Sequence, residues 1–373
     1  MASLRHQLRH VYEYFKFLDE TNAKILQKLA TVGPRNISAL AKATRLPITT
    51  VRFRLNKMIE KGQLLVTVNP DLPKLGLAKA FLAANASLGC HDTLRKAIES
   101  TEYWTYMVRC YGKIDGYCAY FAFPHESMEE VEEYFREICA RKIVTDYKLF
   151  WITNSFYNSP DFSWFDFKKK EWKLPWERWV KEILEASEEL PAILREPQSY
   201  EPLVDKADLL IIKELEKDAT IDLKKLAKIL KITPQSVGTR YKKHIVARNL
   251  VANFNVDIYP FPLEISELFN FIIRFTDEKR LAKFAKASDK KPFIVSYAKA
   301  IDHDLLIANI YILKSEFPKL INSLNRLYSE DVITDFSYAT LDPTSFRRQT
   351  ISYEYFADGR WATNLKVNLN KLR

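Results

Sequence analysis

Thr49, Thr50, Arg52, Phe53, Arg54, Asn56 and Lys57 crowd one short stretch of the chain. Their side chains suit the edges of nucleic-acid bases. An arginine can donate two parallel hydrogen bonds to guanine, and a threonine methyl or a phenyl ring can pack on the methyl of thymine. A second stretch carries Gln235, Ser236, Thr239, Arg240 and Lys243, and glutamine is a side chain that reads adenine. Lys42, Arg45 and Lys61 flank the first set; Lys228, Lys231, Lys242 and Arg248 flank the second. These cations suit phosphates, which fix register without reading sequence.

Charge separates these two stretches from the rest of the chain. Arg35 to Gln63 holds seven Lys/Arg against one acid, Glu60, and Leu223 to Arg248 holds eight against none. Together they exceed the net charge of +10 carried by all 373 residues, so the remainder is acidic. A basic excess confined to two segments is the footprint of a polyanion, and double-stranded DNA is the expected partner. The bland alternative is two solvated helix faces with no partner.

The two stretches are copies of one pattern. Ile25 to Asp71 aligns without a gap on Ile211 to Asp257, at an offset of 186 residues. Within it, Leu40-Ala41-Lys42 matches Leu226-Ala227-Lys228, and Val51, Arg54, Lys57 and Ile59 match Val237, Arg240, Lys243 and Ile245. Apolar periodicity predicts three short helices in each copy: 22–31, 37–44 and 49–61, then 208–217, 223–230 and 234–248. Gly62 stands where a left-handed helix C-cap belongs. A strand follows, Leu64 to Val68 and Leu250 to Asn255, the first opening a hairpin or wing that ends at Asn69-Pro70-Asp71. Helix, helix, tight turn, helix and wing make a winged helix-turn-helix, whose third helix enters the major groove. Winged helices also serve as protein–protein modules.

A β-α-β-β-α-β order follows each copy, which is a ferredoxin-like pattern. The fold class expected is therefore α+β, with two winged helix-turn-helix domains alternating with two ferredoxin-like (βαββαβ) domains by internal duplication. The domains run as a helical arm (1–20), winged helix-turn-helix (21–75), ferredoxin-like domain (76–157), Trp- and Pro-rich helical linker (158–206), second winged helix-turn-helix (207–260), second ferredoxin-like domain (261–345) and basic C-terminal tail (346–373). Four of the seven tryptophans fall in the linker.

Ile37-Ser-Ala-Leu-Ala-Lys, Val51-Arg-Phe-Arg-Leu and Met58-Ile-Glu-Lys-Gly62 resemble the motif of Lrp/AsnC-type transcriptional regulators. Val108-Arg-Cys-Tyr-Gly112-Lys-Ile-Asp115 resembles that family's glycine-to-aspartate turn between the central strands. The resemblance implies an N-terminal DNA-binding head and a C-terminal domain for dimerisation and effector sensing. It also makes Gly112 and Asp115 candidate effector residues, although Asp115 suits closing a hairpin turn better than binding an effector. The family carries one copy per chain and dimerises. Here both copies share one chain, a pseudo-dimer that could pair further as a homodimer. Ile301 stands where Gly112 does, and Gly238 where Arg52 does, so the halves are unequal. Tandem chains of this kind are similar to archaeal activators, which implies general transcription factor B or RNA polymerase as partners. The rival readings are an adaptor that binds the transcription machinery and a small-molecule-responsive repressor.

No phosphate-binding glycine loop, G-x-S-x-G elbow or metal-ligand set occurs, which predicts a protein that is not an enzyme and uses no cofactor or metal. Cys90, Cys110, Cys118 and Cys139 form no C-x-x-C pair and read as reduced thiols. No signal peptide is visible and no apolar run approaches the ~20 residues that span a bilayer. A cytoplasmic protein without a membrane partner is expected.

Overall fold

A computed structural model describes residues 17–61, 64–159, 161–258, 261–363 and 365. The expected N-terminal arm falls almost wholly outside these residues, as do Gly62 and the end of the basic tail. The first helix, α1 (Glu20–Val32), starts where the Asp19 carboxylate accepts the Asn22 amide at 2.8 Å. It buries Ile25, Leu26 and Leu29. Gly33 ends it at φ 76, where a Cβ would lie 2.7 Å from the Phe254 ring. α2 (Ile37–Thr44) stops at Arg45 in the left-handed region, and α3 (Ile48–Glu60) buries Val51, Leu55 and Met58.

The chain continues through β1 (Leu65–Pro70), a 3-10 turn at Leu72–Leu75, β2 (Leu77–Ala86), α4 (His91–Ser100), β3 (Trp104–Gly112), β4 (Gly116–Pro124), α5 (Met128–Ala140) and β5 (Val144–Ile152). Short strands β6 (Phe156–Tyr157), β7 (Phe165–Asp166) and β8 (Glu171–Trp172) lead to α6 (Trp176–Glu185). The same order then recurs: α7 (Lys206–Lys217), α8 (Leu223–Leu230), α9 (Pro234–Arg240), β9 (Val251–Asp257), β10 (Ser266–Phe275), α10 (Glu278–Ser288), β11 (Ile294–Lys299), β12 (Leu305–Leu313), α11 (Phe317–Ser329) and β13 (Ile333–Leu341). It ends in β14 (Arg347–Arg348), β15 (Phe356–Ala357) and β16 (Arg360–Trp361).

The molecule is thus a mixed α/β protein built on one large antiparallel sheet of ten strands. β5-β2-β4-β3 joins β13-β10-β12-β11 through the pairs Gly112↔Ala339, Tyr111↔Thr340 and Cys110↔Leu341. The far edges meet as well: Ile152 bridges Ala300, and the Ile301 amide donates to the Trp151 carbonyl at 2.8 Å. The two four-stranded arrays therefore face each other over a shared layer that includes Phe81, Val108, Cys118, Ile272, Leu305 and Ile307. Helices α4 and α5 cover one outer face, and α10 and α11 the other. α6 lies on the second pair, with Trp179 1% exposed and edge-on to Phe284 and Phe293. Burying a side chain of that size is worth about 2–3 kcal/mol.

Two expectations need correction. Among the described residues, β1 starts no wing: it pairs antiparallel with β9, with Val66 opposite Val256 and Thr67 opposite Asn255. Its alternating pattern fits any partner strand, and the partner is in the other half. The third helix of the second copy is not continuous to Arg248. It is α-helical only to Arg240 and then π-helical over Tyr241–Val246. The linker and tail match each other. Each makes a 3-10 turn and a two-residue hairpin, with Phe165 5.1 Å from Trp172 and Phe356 5.0 Å from Trp361.

Candidate nucleic-acid interface

Helix geometry decides which of the predicted residues face outward. On α3, Thr49, Arg52, Phe53, Asn56 and Lys57 follow the spacing of a single face and are exposed. Val51, Leu55 and Met58 on the opposite side are buried and hold that face out. Phe53 is 62% exposed, with the Lys57 ammonium 5.5 Å from its ring centre. On the second head, Gln235, Thr239, Lys242 and Lys243 stand on the equivalent exposed strip, with Gly238 between them. Thr233 caps α9 by accepting the Ser236 amide at 3.1 Å, so Ser236 is committed to the cap.

Thr50 is half-buried, and Arg54 and Arg240, two of the three arginines expected to read bases, point sideways. Arg54 pairs with Asp19 at 2.5 Å. Arg240 pairs with Asp205 at 2.7 Å and with Asp208 at 2.9 Å, and the hydrogen bond to Asp205 raises the guanidinium pKa above its ordinary value. The Asp208 side chain is 1% exposed and also lies 3.0 Å from His244 Nδ1. In both heads the arginine thus ties the third helix to the carboxylate that caps the first. Asp19, Asp205, Asp208 and His244 went unnoticed in the sequence. The signal was present: Asp19 and Asp205 share the 186-residue offset of Arg54 and Arg240.

The candidate phosphate contacts Lys42, Arg45, Lys61, Lys228, Lys231, Lys242 and Arg248 are all exposed. Arg45 and Lys231 occupy left-handed C-caps at φ 57 and 56, which turns both away from their helices. Arg248 also donates to the Leu203 carbonyl at 2.7 Å. Arg35, in the first head, lies over the Tyr241 ring of the second at 5.0 Å, and burial lowers its pKa.

The candidate effector residues part company. Gly112, at φ 101, lines a groove of about 320 Å³ with Tyr111, Lys113, Phe336, Tyr338 and Thr340. Asp115 is not part of that lining. Its carboxylate pairs with Arg109, which lowers its pKa, and its amide donates to Asn85 Oδ1 at 2.6 Å. Among the described residues, one group could hold a metal ion, Asp205, Asp208 and His244, and the Arg240 guanidinium already sits against both its carboxylates. No described helix is long and apolar enough to cross a membrane.

The order of elements gives two three-helix heads, each with an exposed third helix, on one large antiparallel sheet. No protein-family model matches the chain. An uncharacterized HTH-type transcriptional regulator of Pyrococcus furiosus is 35% identical over 63 residues, which is 17% of this chain and 42% of that protein. The chain therefore spans less than half the length of this curated relative. An AsnC family transcriptional regulator from Agrobacterium tumefaciens is 18% identical and covers 36% of this chain and 89% of its own, with a TM-score of 0.29. Over those 63 residues the chain is similar to HTH-type transcriptional regulators of three Pyrococcus species.

A further likeness runs nearly end to end. Siroheme decarboxylase NirDL covers 95% of this chain and 98% of its own, with a TM-score of 0.57 at 12% identity. It has also been solved in complex with an iron-uroporphyrin III analogue. This overturns the expectation that the chain is not an enzyme. That exclusion rested on missing motifs that belong to other folds, whereas the fold shared here carries a decarboxylase.

Proposed function

We propose that the chain is a transcription regulator that binds double-stranded DNA through two unequal recognition helices held by one duplicated scaffold. The observation that carries this reading is the pair of equivalent outward strips, on α3 and α9 with its π-helical extension, ringed by exposed cations. Cross-pairing of β1 with β9 holds the heads at one spacing, which suits an imperfect two-part site. Unequal heads give a bound chain a direction along a promoter, which fits an activator that contacts general transcription factors.

The test is titration of the full chain into labelled duplexes over a range of salt concentrations. Counterion release predicts a steep, linear fall of log affinity with log salt, about 0.9 per phosphate neutralised. A flat dependence would sink the reading.

The end-to-end fold shared with siroheme decarboxylase favours a second reading, an enzyme acting on a tetrapyrrole carboxylate. Iron-uroporphyrin III added to the chain would shift its absorbance bands under this reading and leave them unmoved under the first.

A further inference from the structure

The two recognition strips align position for position in the sequence, so their side chains can be compared directly. In order, Thr49, Arg52, Phe53, Asn56 and Lys57 correspond to Gln235, Gly238, Thr239, Lys242 and Lys243. The first strip carries the only arginine and the only aromatic ring of the two. Its neighbour Arg54, and Arg240 in the other head, are removed from the comparison by their ion pairs. Arg52 can grip guanine with two hydrogen bonds, whereas Gly238 offers no side chain. Phe53 is 62% exposed amid basic residues, with the Lys57 ammonium 5.5 Å from its ring centre, which leaves the ring open to an apolar group set among phosphates. Thymine in a duplex supplies one, with a methyl group inside a phosphate-lined groove.

The second strip has the opposite character. Lys242 and Lys243 replace Asn56 and Lys57, and Lys224, Lys225, Lys228 and Lys231 stand exposed beside them. No acid occurs from Leu223 to Arg248. Lysine is a mobile point charge that suits phosphates more than the planar, two-point recognition of a base. Gln235 and Thr239 are the base-reading groups left there.

We infer that the two heads have separate roles. The first discriminates sequence through Arg52 and Phe53, and the second anchors the chain to phosphates of any sequence through Lys242 and Lys243. This rests on the DNA-binding reading above and adds which head sets the operator. Specificity then resides in one half-site, and the other half-site tolerates change.

The experiment uses the full chain and a random-sequence duplex pool. The tightest duplex is selected, and affinities for it and for a scrambled duplex are measured across salt. In an Arg52→Ala/Phe53→Ala double variant the ratio of the two affinities falls about tenfold or more, while the salt slope drops by no more than about one. In Lys242→Ala/Lys243→Ala both duplexes weaken by the same factor, and the slope falls by about two. Replacing thymidine by deoxyuridine in the selected duplex removes the methyl groups; it weakens wild type but not Phe53→Ala. All four positions are exposed, and circular dichroism melts confirm that the variants are folded. An unchanged ratio in the first variant, or a lost ratio in the second, overturns the division while DNA binding stands. A wild-type chain that binds DNA with no preference overturns it too. A wild-type chain that binds no duplex sinks the DNA reading itself.

Discussion

Arg54 and Arg240 show how far a single residue's role follows from its type. Both sit in the helix expected to read DNA, and both have the chemistry for guanine. Each is instead held by a carboxylate at the start of its own head's first helix. Periodicity did separate the buried positions Val51, Leu55 and Met58 from the outward strip. It left residue 54 on the boundary between them, where only a partner decides. The two pairs differ in cost. Arg54 and Asp19 are each about one-third exposed, so Arg54→Ala costs about 0.5–1 kcal/mol. Arg240→Ala strips a partner from Asp208, whose side chain is 1% exposed, and costs about 2–3 kcal/mol. Thermal unfolding of the two variants side by side should rank them in that order. Equal losses would show that His244 alone satisfies Asp208.

At the scale of elements, most helices and strands were legible because amphipathic periods are local. What they pair with was not. β1 has the alternation of a wing, but its hydrogen bonds go to a strand 186 residues away. The linker and tail are the same case. Their short hairpins have few residues and no period, and only the paired aromatics Phe165–Trp172 and Phe356–Trp361 reveal that they are equivalent. The tail hairpin has a structural role. Trp361 donates its indole N–H to the Leu75 carbonyl at 2.7 Å, clamping the tail hairpin on the turn after β1. It also packs edge-on against Tyr103. Trp361→Ala removes both contacts and should cost about 2–3 kcal/mol, at the low end for tryptophan because the ring is only half-buried. Denaturant midpoints measure this directly. A loss below about 0.5 kcal/mol, the range of a neutral surface change, would mean that the tail is merely docked.

For the whole molecule, the consequence of sharing a core is that neither half is complete alone. Phe81 and Val108 from one half and Ile272 and Ile307 from the other line the same layer, and α1 packs on β9 while α7 packs on β1. Unfolding should therefore be one cooperative transition, with tryptophan fluorescence and far-UV dichroism giving the same midpoint. Where a head meets this body lies a buried charge that the other half does not repeat. Lys79 on β2 is 8% exposed, donates to Ser155 Oγ at 2.7 Å and lies 5.6 Å from the Tyr120 ring. The corresponding residue on β10 is Leu268, 189 positions on. Burial lowers the Lys79 pKa to about 8, and burial likewise raises that of Glu216 on α7 to about 7. Both groups therefore oppose folding when charged. Between the unfolded glutamate's 4.5 and about 7 the native state holds a proton that the unfolded chain has lost, so the Glu216 contribution weakens stability as pH rises. Between about 8 and the unfolded lysine's 10.5 the unfolded chain holds the extra proton, so the Lys79 contribution strengthens stability as pH rises. The two together place a stability minimum near neutrality. Lys79→Leu, borrowing the residue at 268, should stabilise the protein at pH 7 by on the order of 3 kcal/mol. That gain should shrink steadily from pH 8 to pH 10.5, because the wild type sheds its buried charge over the same range. Denaturant unfolding of wild type and variant at half-unit pH steps gives the difference curve. A gain that stays constant through about pH 10 would show that Lys79 acts through packing and not through its charge.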